Sequence, residues 1–198
     1  MDVARCNLEG NVDAVEFCPH NGCRHVLTAL TYILQEGDRP SRAGRISLFN
    51  VGAELGRLDL FQRIETTGIF NTKWNPVGDS NTKAHTMRVC CIAKNPNDTN
   101  NVVTGGGVWR IKFHPFAAGL VLTACIHNGF SIVNNNEDNT KVIETYNKHE
   151  SFAYGADWHT DKSLHEGKRN STLVATCSFY DRLLRIWTPE SDSQGFAI

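Results

Sequence analysis

Two short stretches bring residues capable of chemistry into close spacing. CPHNGCRH, from Cys18 to His25, offers Cys18, His20, Cys23 and His25, the donor types of a tetrahedral zinc site. Structural zinc sites set their ligands in two pairs separated by a longer loop, whereas these four fall within eight residues. Alternation along a strand would send them to opposite faces, so the stretch is predicted to be a strand-to-strand turn that binds no metal. TGGGVWRIKFHP, from Thr104 to Pro115, places three glycines ahead of an alternating run, as a phosphate loop would. A phosphate cradle needs G-x-x-x-x-G-K-[ST], because its lysine and hydroxyl meet phosphate and magnesium. Here Val108 and Trp109 follow Gly107, and the alternation beyond them reads as a strand. No G-x-S-x-G elbow occurs, which removes an α/β-hydrolase mechanism.

The elements that must position any chemistry are strands. Apolar runs of four to seven residues, rich in Val, Ile, Phe, Trp and Thr, are punctuated by Gly, Asn, Asp and Pro. No stretch holds an i, i+3, i+4, i+7 pattern with a cap, so long helices are not expected. Five segments share one shape, a strand ending in an aromatic or aliphatic residue and usually a proline: Ala14 to Pro19, Ile69 to Pro76, Met87 to Pro96, Val108 to Pro115, and Tyr154 to His159. Second strands follow four of them, at His25, Asn101, Leu120 and Leu173, and third strands follow at Arg45, Gly129 and Leu183. Fourth strands follow at Arg57 and Lys141.

That succession is the four-stranded blade of a β-propeller, with a repeat of roughly 40–45 residues. Asp181 falls in a turn where its carboxylate can accept amide hydrogens, and Trp187 closes a third strand as a packing plate. His85 and His149 stand just before first strands, where WD-type blades place a buttressing histidine. The prolines Pro19, Pro76, Pro96 and Pro115 are 57, 20 and 19 residues apart, and Phe113 lies 45 residues before Trp158. The long gaps hold a blade with its loop; the short ones hold half a blade at most. The expectation is a single WD-repeat propeller domain over 1–198, with five blade starts and three near-complete blades near 13–65, 108–147 and 152–187. Truncated blades fall between about 69 and 105, as in an internally shortened chain. Asp2 to Leu8 is expected to pair with the last blade as its outer strand.

Twenty basic residues against 21 acidic ones leave a net charge of −1, so no basic field recruits nucleic acid or an anionic membrane. The start, MDVARCNLEGN, reads as no secretory signal, and no apolar run approaches the roughly 20 residues of a bilayer span. Seven cysteines at irregular spacing fit reduced thiols in the cytoplasm.

The stretches AHTMRVC (Ala84 to Cys90), GGGVWRIKFHPF (Gly105 to Phe116), ACIHNGFSIVN (Ala124 to Asn134), YGADW (Tyr154 to Trp158) and LVATCSFYDRLLRIW (Leu173 to Trp187) resemble the WD-repeat diphthine methyl ester hydrolases of diphthamide biosynthesis, also called diphthine methyltransferases. The resemblance runs from about Ala14 to Trp187. It implies a cofactor-free carboxylic ester hydrolase that removes a methyl ester from methylated diphthine on elongation factor 2. The chain would act as a monomer, with a protein substrate and neither nucleic acid nor membrane as partner.

Ester hydrolysis needs an activated water or nucleophile, a base, and donors for the oxyanion. Within the resembling stretches His114 and His127 are candidate bases, Asp157 a residue to orient one, and Ser178 and Cys177 candidate nucleophiles. The implied substrate carries a trimethylammonium group, which aromatic faces attract, so Trp109, Phe113 and Trp158 are the expected substrate-binding residues. The alternatives are a non-catalytic WD-repeat interaction scaffold and an inactive shortened form.

Overall fold

Runs of β-branched and aromatic residues, broken by Gly, Asn, Asp or Pro, fold as strands wherever the computed structural model describes the chain, over residues 1–36, 41–52, 55–67, 93–94, 102–103, 108–136, 139–160 and 172–190. The first set is β1 (Asp2–Asn7), β2 (Asn11–Phe17), β3 (Val26–Gln35), β4 (Ser41–Gly52) and β5 (Arg57–Thr67). Two short strands follow, β6 (Ala93–Lys94) and β7 (Val102–Val103). Next come β8 (Val108–Phe113), β9 (Leu120–Cys125), β10 (Gly129–Asn136) and β11 (Asn139–Tyr146). The last are β12 (Ala153–Trp158), β13 (Val174–Ser178) and β14 (Leu183–Trp187). No helix occurs among the described residues. The predicted segments Ile69 to Pro76 and Thr104 to Gly107, with Trp74, His85, Cys90, Cys91 and the loop Asp161 to Asn170, lie outside them.

The strands build three four-stranded antiparallel sheets, ordered β2-β3-β4-β5, β8-β9-β10-β11 and β1-β14-β13-β12, beside the pair β6-β7. The described sheets do not close into a barrel, and the architecture is an incomplete β-propeller. The expected outer strand is present: β1 runs antiparallel to β14, from Asp2 opposite Trp187 to Asn7 opposite Leu183. The Leu8 amide continues the ladder by donating to the Arg182 carbonyl at 2.8 Å, and Thr188 donates to the Met1 carbonyl at 2.9 Å. The CPHNGCRH stretch is the turn between β2 and β3, with the Val26 amide donating to the Cys23 carbonyl at 2.9 Å.

Alternation decides where the core lies. In β13 all five residues are buried, yet successive side chains serve different neighbours. Ala175 and Cys177 pack with Val12, Val15, Phe17, Leu27 and Phe49 of the first sheet. Val174, with Trp158 and Trp187, packs against Leu122, Phe130 and Ile132 of the β8–β11 sheet. Trp187 stacks on Tyr146 with ring centres 4.2 Å apart and planes 3° from parallel. Offset pairs of this kind add about 0.5–1.5 kcal/mol beyond the area they bury.

Where β12 meets the first sheet, the backbones nearly touch at Gly155. A methyl group there would stand 2.5 Å from the Cys177 sulfur, 2.8 Å from the Val15 nitrogen and 3.0 Å from Ala14 Cα. Two of those three atoms are main chain and cannot swing aside. Gly155→Ala is therefore expected to lower the unfolding free energy by about 1–3 kcal/mol, the usual cost of overpacking. Chemical denaturation of wild type and variant checks this; equal midpoints would show that the sheets can separate freely.

Candidate functional site

Each innermost strand has two ends, and the candidate residues divide between them. Strand β9 separates the turn that follows His114 from the turn that contains His127, so its six residues hold the two histidines roughly 20 Å apart. They cannot serve one site within a single copy of the chain. Nor do Trp109, Phe113, Trp158 and Asp157 form one surface: Trp109 lies at the His127 end, and the other three lie towards the His114 end.

At the His114 end the geometry is that of a clasp. His114 is buried, and its Nδ1 accepts hydrogen bonds from the Phe116 amide at 3.1 Å and the Ala117 amide at 2.8 Å. Its ring meets the Trp158 ring edge-on at 4.8 Å, and Trp158 Nε1 donates to the Lys112 carbonyl at 2.9 Å. Asp157 joins three innermost strands. One carboxylate oxygen accepts from the Phe17 amide at 2.7 Å, and the other meets Lys112 Nζ at 3.0 Å. Lys112 also lies 3.7 Å from Glu16. A ring nitrogen closing a turn and a carboxylate satisfying a buried amide are both occupied with holding strand ends.

Beneath the turn at the His127 end, the β11–β12 connection, β13 and β14 share a chain of polar side chains. Trp187 Nε1 donates to Thr176 Oγ1 at 3.2 Å, and Thr176 meets His149 Nε2 at 2.9 Å. The other ring nitrogen bonds Ser178 Oγ, which donates to Asp181. Asp181 also accepts from the Glu150 amide at 3.2 Å and the Leu183 amide at 3.3 Å. The order of donors runs one way, indole to hydroxyl to Nε2, then Nδ1–H to hydroxyl to carboxylate. A nucleophilic triad would instead send the serine proton to the histidine. Ser178 and Cys177, the candidate nucleophiles, are both sealed from solvent, and burial pushes the Cys177 thiol well above its ordinary range. His149 stays neutral because burial drives it down to about 4, against the pull of Asp181.

The open surface lies above this network. A cleft of about 930 Å³ is lined by His127, Phe152, His149, Tyr180 and Asp181 among others. His127 is exposed, with its ring edge-on to Phe152 at 4.8 Å. Aromatic rings continue inward: Phe179 contacts Tyr180 at 4.9 Å and Tyr154 at 4.7 Å, and Tyr154 contacts Trp109 at 4.6 Å.

Tyr154 and Trp109 occupy matching irregularities. The ladder shifts register at Tyr154 in β12, between Ala153 and Gly155, and at Trp109 in β8, between Val108 and Arg110. Strand β2 shifts at the same level, and the residue there is Asp13. Asp13 is 1% exposed, yet neither carboxylate oxygen has a hydrogen-bond partner, and Trp109 Nε1 is likewise buried without one. Burial pushes the Asp13 carboxyl up to about 7, against the pull of the Arg110 charge. Asp13 is the buried ionisable group the sequence reading did not single out. The readable sign was one acid between Val12 and Ala14 in a strand otherwise buried at its centre.

Two buried groups give the fold opposing responses to acid. Asp13 holds its proton more tightly folded than unfolded, so its penalty is complete above about 7 and fades as pH falls toward 3.8. His149 resists protonation when folded, so its contribution is complete above 6.5 and lost as pH falls toward about 4. In the wild type the two offset each other over much of the same range. Asp13→Asn removes the first: it should raise the unfolding free energy by on the order of 2 kcal/mol at about pH 8. The variant should then lose stability steeply between pH 6.5 and about 4, where the wild type changes little. Denaturant titrations across that range measure both; a destabilised variant at the alkaline end would mean that Asp13 has a structural partner.

No protein-family model matches the chain. It is 39% identical over 92 residues to the diphthine methyltransferase homolog of Dictyostelium discoideum, covering 43% of this chain and 24% of that one. It is 34% identical over 105 residues to the diphthine methyltransferase of Homo sapiens, covering 38% and 23%. The figures for Saccharomyces cerevisiae diphthine methyltransferase are 36% over 95 residues, 42% and 22%. The matched part of the chain thus spans less than a quarter of the length of these curated relatives. Over that part, the chain is similar to the diphthine methyltransferases.

Proposed function

We propose that the chain acts in diphthamide biosynthesis as a WD-repeat carboxylic ester hydrolase, removing the methyl ester from methylated diphthine on elongation factor 2. The observation that carries this reading is the similarity to relatives named for diphthine in amoeba, animal and yeast alike. The geometry adds an open cleft at the His127 end, the shape a side chain presented by a large protein requires. In this reading a water attacks the ester carbonyl while His127 takes its proton, and the carbon–oxygen bond breaks to release methanol and a carboxylate. Trp109 stands at the inner end of the rings that lead from the cleft, while His114, Asp157, Phe113 and Trp158 keep the innermost strands in place at the far end. The protein would work as a monomer in the cytoplasm and use no cofactor.

The test is methanol release from elongation factor 2 bearing methylated diphthine, measured for this chain and for a full-length relative. The relative is expected to cleave the ester, and His127→Ala at the matching position should cut turnover at least about a hundredfold, the lower range for loss of a general base. The matching His114→Ala should cost stability rather than turnover per folded molecule. Binding of the elongation factor with no methanol from either protein would replace the esterase reading with that of an interaction scaffold.

A further inference from the structure

Two Asn–Gly pairs occur in the chain, each after a histidine: Asn21–Gly22 and Asn128–Gly129. In such a pair the glycine nitrogen can attack the asparagine side-chain carbonyl, because no Cβ on the glycine blocks the approach. The reaction needs a free nitrogen, room to close a ring, and stabilisation of the charge that grows on the amide oxygen. The turn between β2 and β3 supplies all three at Asn21. Its closing hydrogen bond runs from the Cys23 amide to the His20 carbonyl at 3.1 Å, and Gly22, at φ 84°, fills the third place of a type II turn. That leaves the Gly22 amide without an acceptor among the described residues. Asn21 and Gly22 are both exposed, and nothing stands within 4 Å of the position a Gly22 Cβ would take. The Asn21 side-chain oxygen accepts from Arg24 Nη2 at 2.6 Å, while Arg24 Nη1 is anchored on the Thr160 carbonyl at 2.9 Å. A guanidinium held in that place stays charged across the pH range of the reaction and polarises the carbonyl.

The second pair is shut. Gly129 is the first residue of β10, paired opposite Cys125, and a Cβ there would stand 2.8 Å from the Tyr146 carbonyl oxygen. The Asn147 side-chain amide, its nitrogen toward the turn, donates to the Asn128 carbonyl at 3.1 Å. We propose that Asn21–Gly22 is a self-modification site, at which Arg24 promotes conversion of the asparagine to aspartate and isoaspartate. The Gly22 nitrogen bonds to Asn21 Cγ, the side-chain carbon–nitrogen bond breaks, and the Gly22 amide proton leaves with the amino group as ammonia. Water then opens the cyclic imide. Breaking the Cγ–nitrogen bond leaves aspartate; breaking the main-chain carbonyl–nitrogen bond leaves isoaspartate, whose backbone runs through the former side chain. Aspartate keeps the Arg24 contact as an ion pair. Isoaspartate adds a methylene to the main chain inside the His20–Cys23 turn and parts the two contacts of Arg24, which tie the first sheet to the chain just after β12. The site is independent of ester hydrolysis, whose cleft lies at the other end of the innermost strands.

The test incubates the full chain at mildly alkaline pH, folded and in urea, and follows each asparagine by peptide mass spectrometry. In the folded chain Asn21 should convert at least about tenfold faster than Asn128, one decade of rate for a modest difference in barrier. In urea the two should convert alike, since only the fold distinguishes them. Arg24→Gln should slow Asn21 at least about tenfold in the folded chain, the low side of what loss of one oxyanion donor costs, and leave its rate in urea unchanged. A denaturation curve shows whether the variant is folded, and the comparison of the two asparagines in the wild type needs no variant. Equal conversion of Asn21 and Asn128 in the folded wild type, or an unchanged or faster Asn21 rate in folded Arg24→Gln, would overturn the proposal.

Discussion

Sheet β1-β14-β13-β12 is covered on both faces, and β13 is where that constraint is tightest. Its neighbours on one side are the apolar residues of the first sheet, and on the other those of the β8–β11 sheet. A strand open to water on one side needs only alternate residues to be apolar. A strand closed on both must make every side chain either apolar or fully bonded. Strand β13 meets this with Val174, Ala175 and Cys177 as small apolar fillers, and with Thr176 and Ser178 as the two hydroxyls that His149 bridges. The small side chains let the sheets come close enough for Gly155 to lie against the first sheet's backbone. That contact in turn aligns β12 with β2 beside their register shifts.

The two buried ionisable groups at the His127 end show contrasting ways of placing polarity inside such a stack. His149 is satisfied at both ring nitrogens, and its partners are satisfied as far as Asp181, so the network rigidifies the join between the β11–β12 connection, β13 and β14. Asp13 is surrounded by equally dry material and has no such chain. One group holds the sheet together, and the other stores a cost that protonation relieves. Both depend on the same low dielectric.

Much of the architecture was legible in the chain because it follows from local rules. Alternation marked the strands, and the turn residues around Asp181 and Gly129 marked their ends. The positions of Asp181 and His149 within a repeating unit foretold hydrogen bonds that brace it, while Trp187, expected as a packing plate, also donates to Thr176. The site was less legible. His114 and His127 are thirteen residues apart in sequence, and nothing in residue type says that a whole strand places them at opposite ends. Asp157 has the chemistry of a catalytic acid, but its neighbours are a backbone amide and a lysine from other strands. Asp13 was hidden by a register shift. Simple alternation through NVDAVEF puts Asp13 and Val15 on one face, and the irregularity between Val12 and Ala14 is set by pairing with β3, which no local pattern records.

The pairing of β1 with β14 has a consequence for the order of events during synthesis. Asp2 and Trp187 are opposite one another, so β1 cannot pair until β14 has been made. In the meantime β1 is an unpaired edge on a tethered chain, and β13 has one neighbour too few. The β2–β5 sheet can assemble from consecutive hairpins as it emerges, whereas the β1–β14 pairing requires closure of a long loop, a slow and entropically costly step. The interval between those two moments is when a nascent chain of this kind depends most on a chaperone to shield its exposed strand.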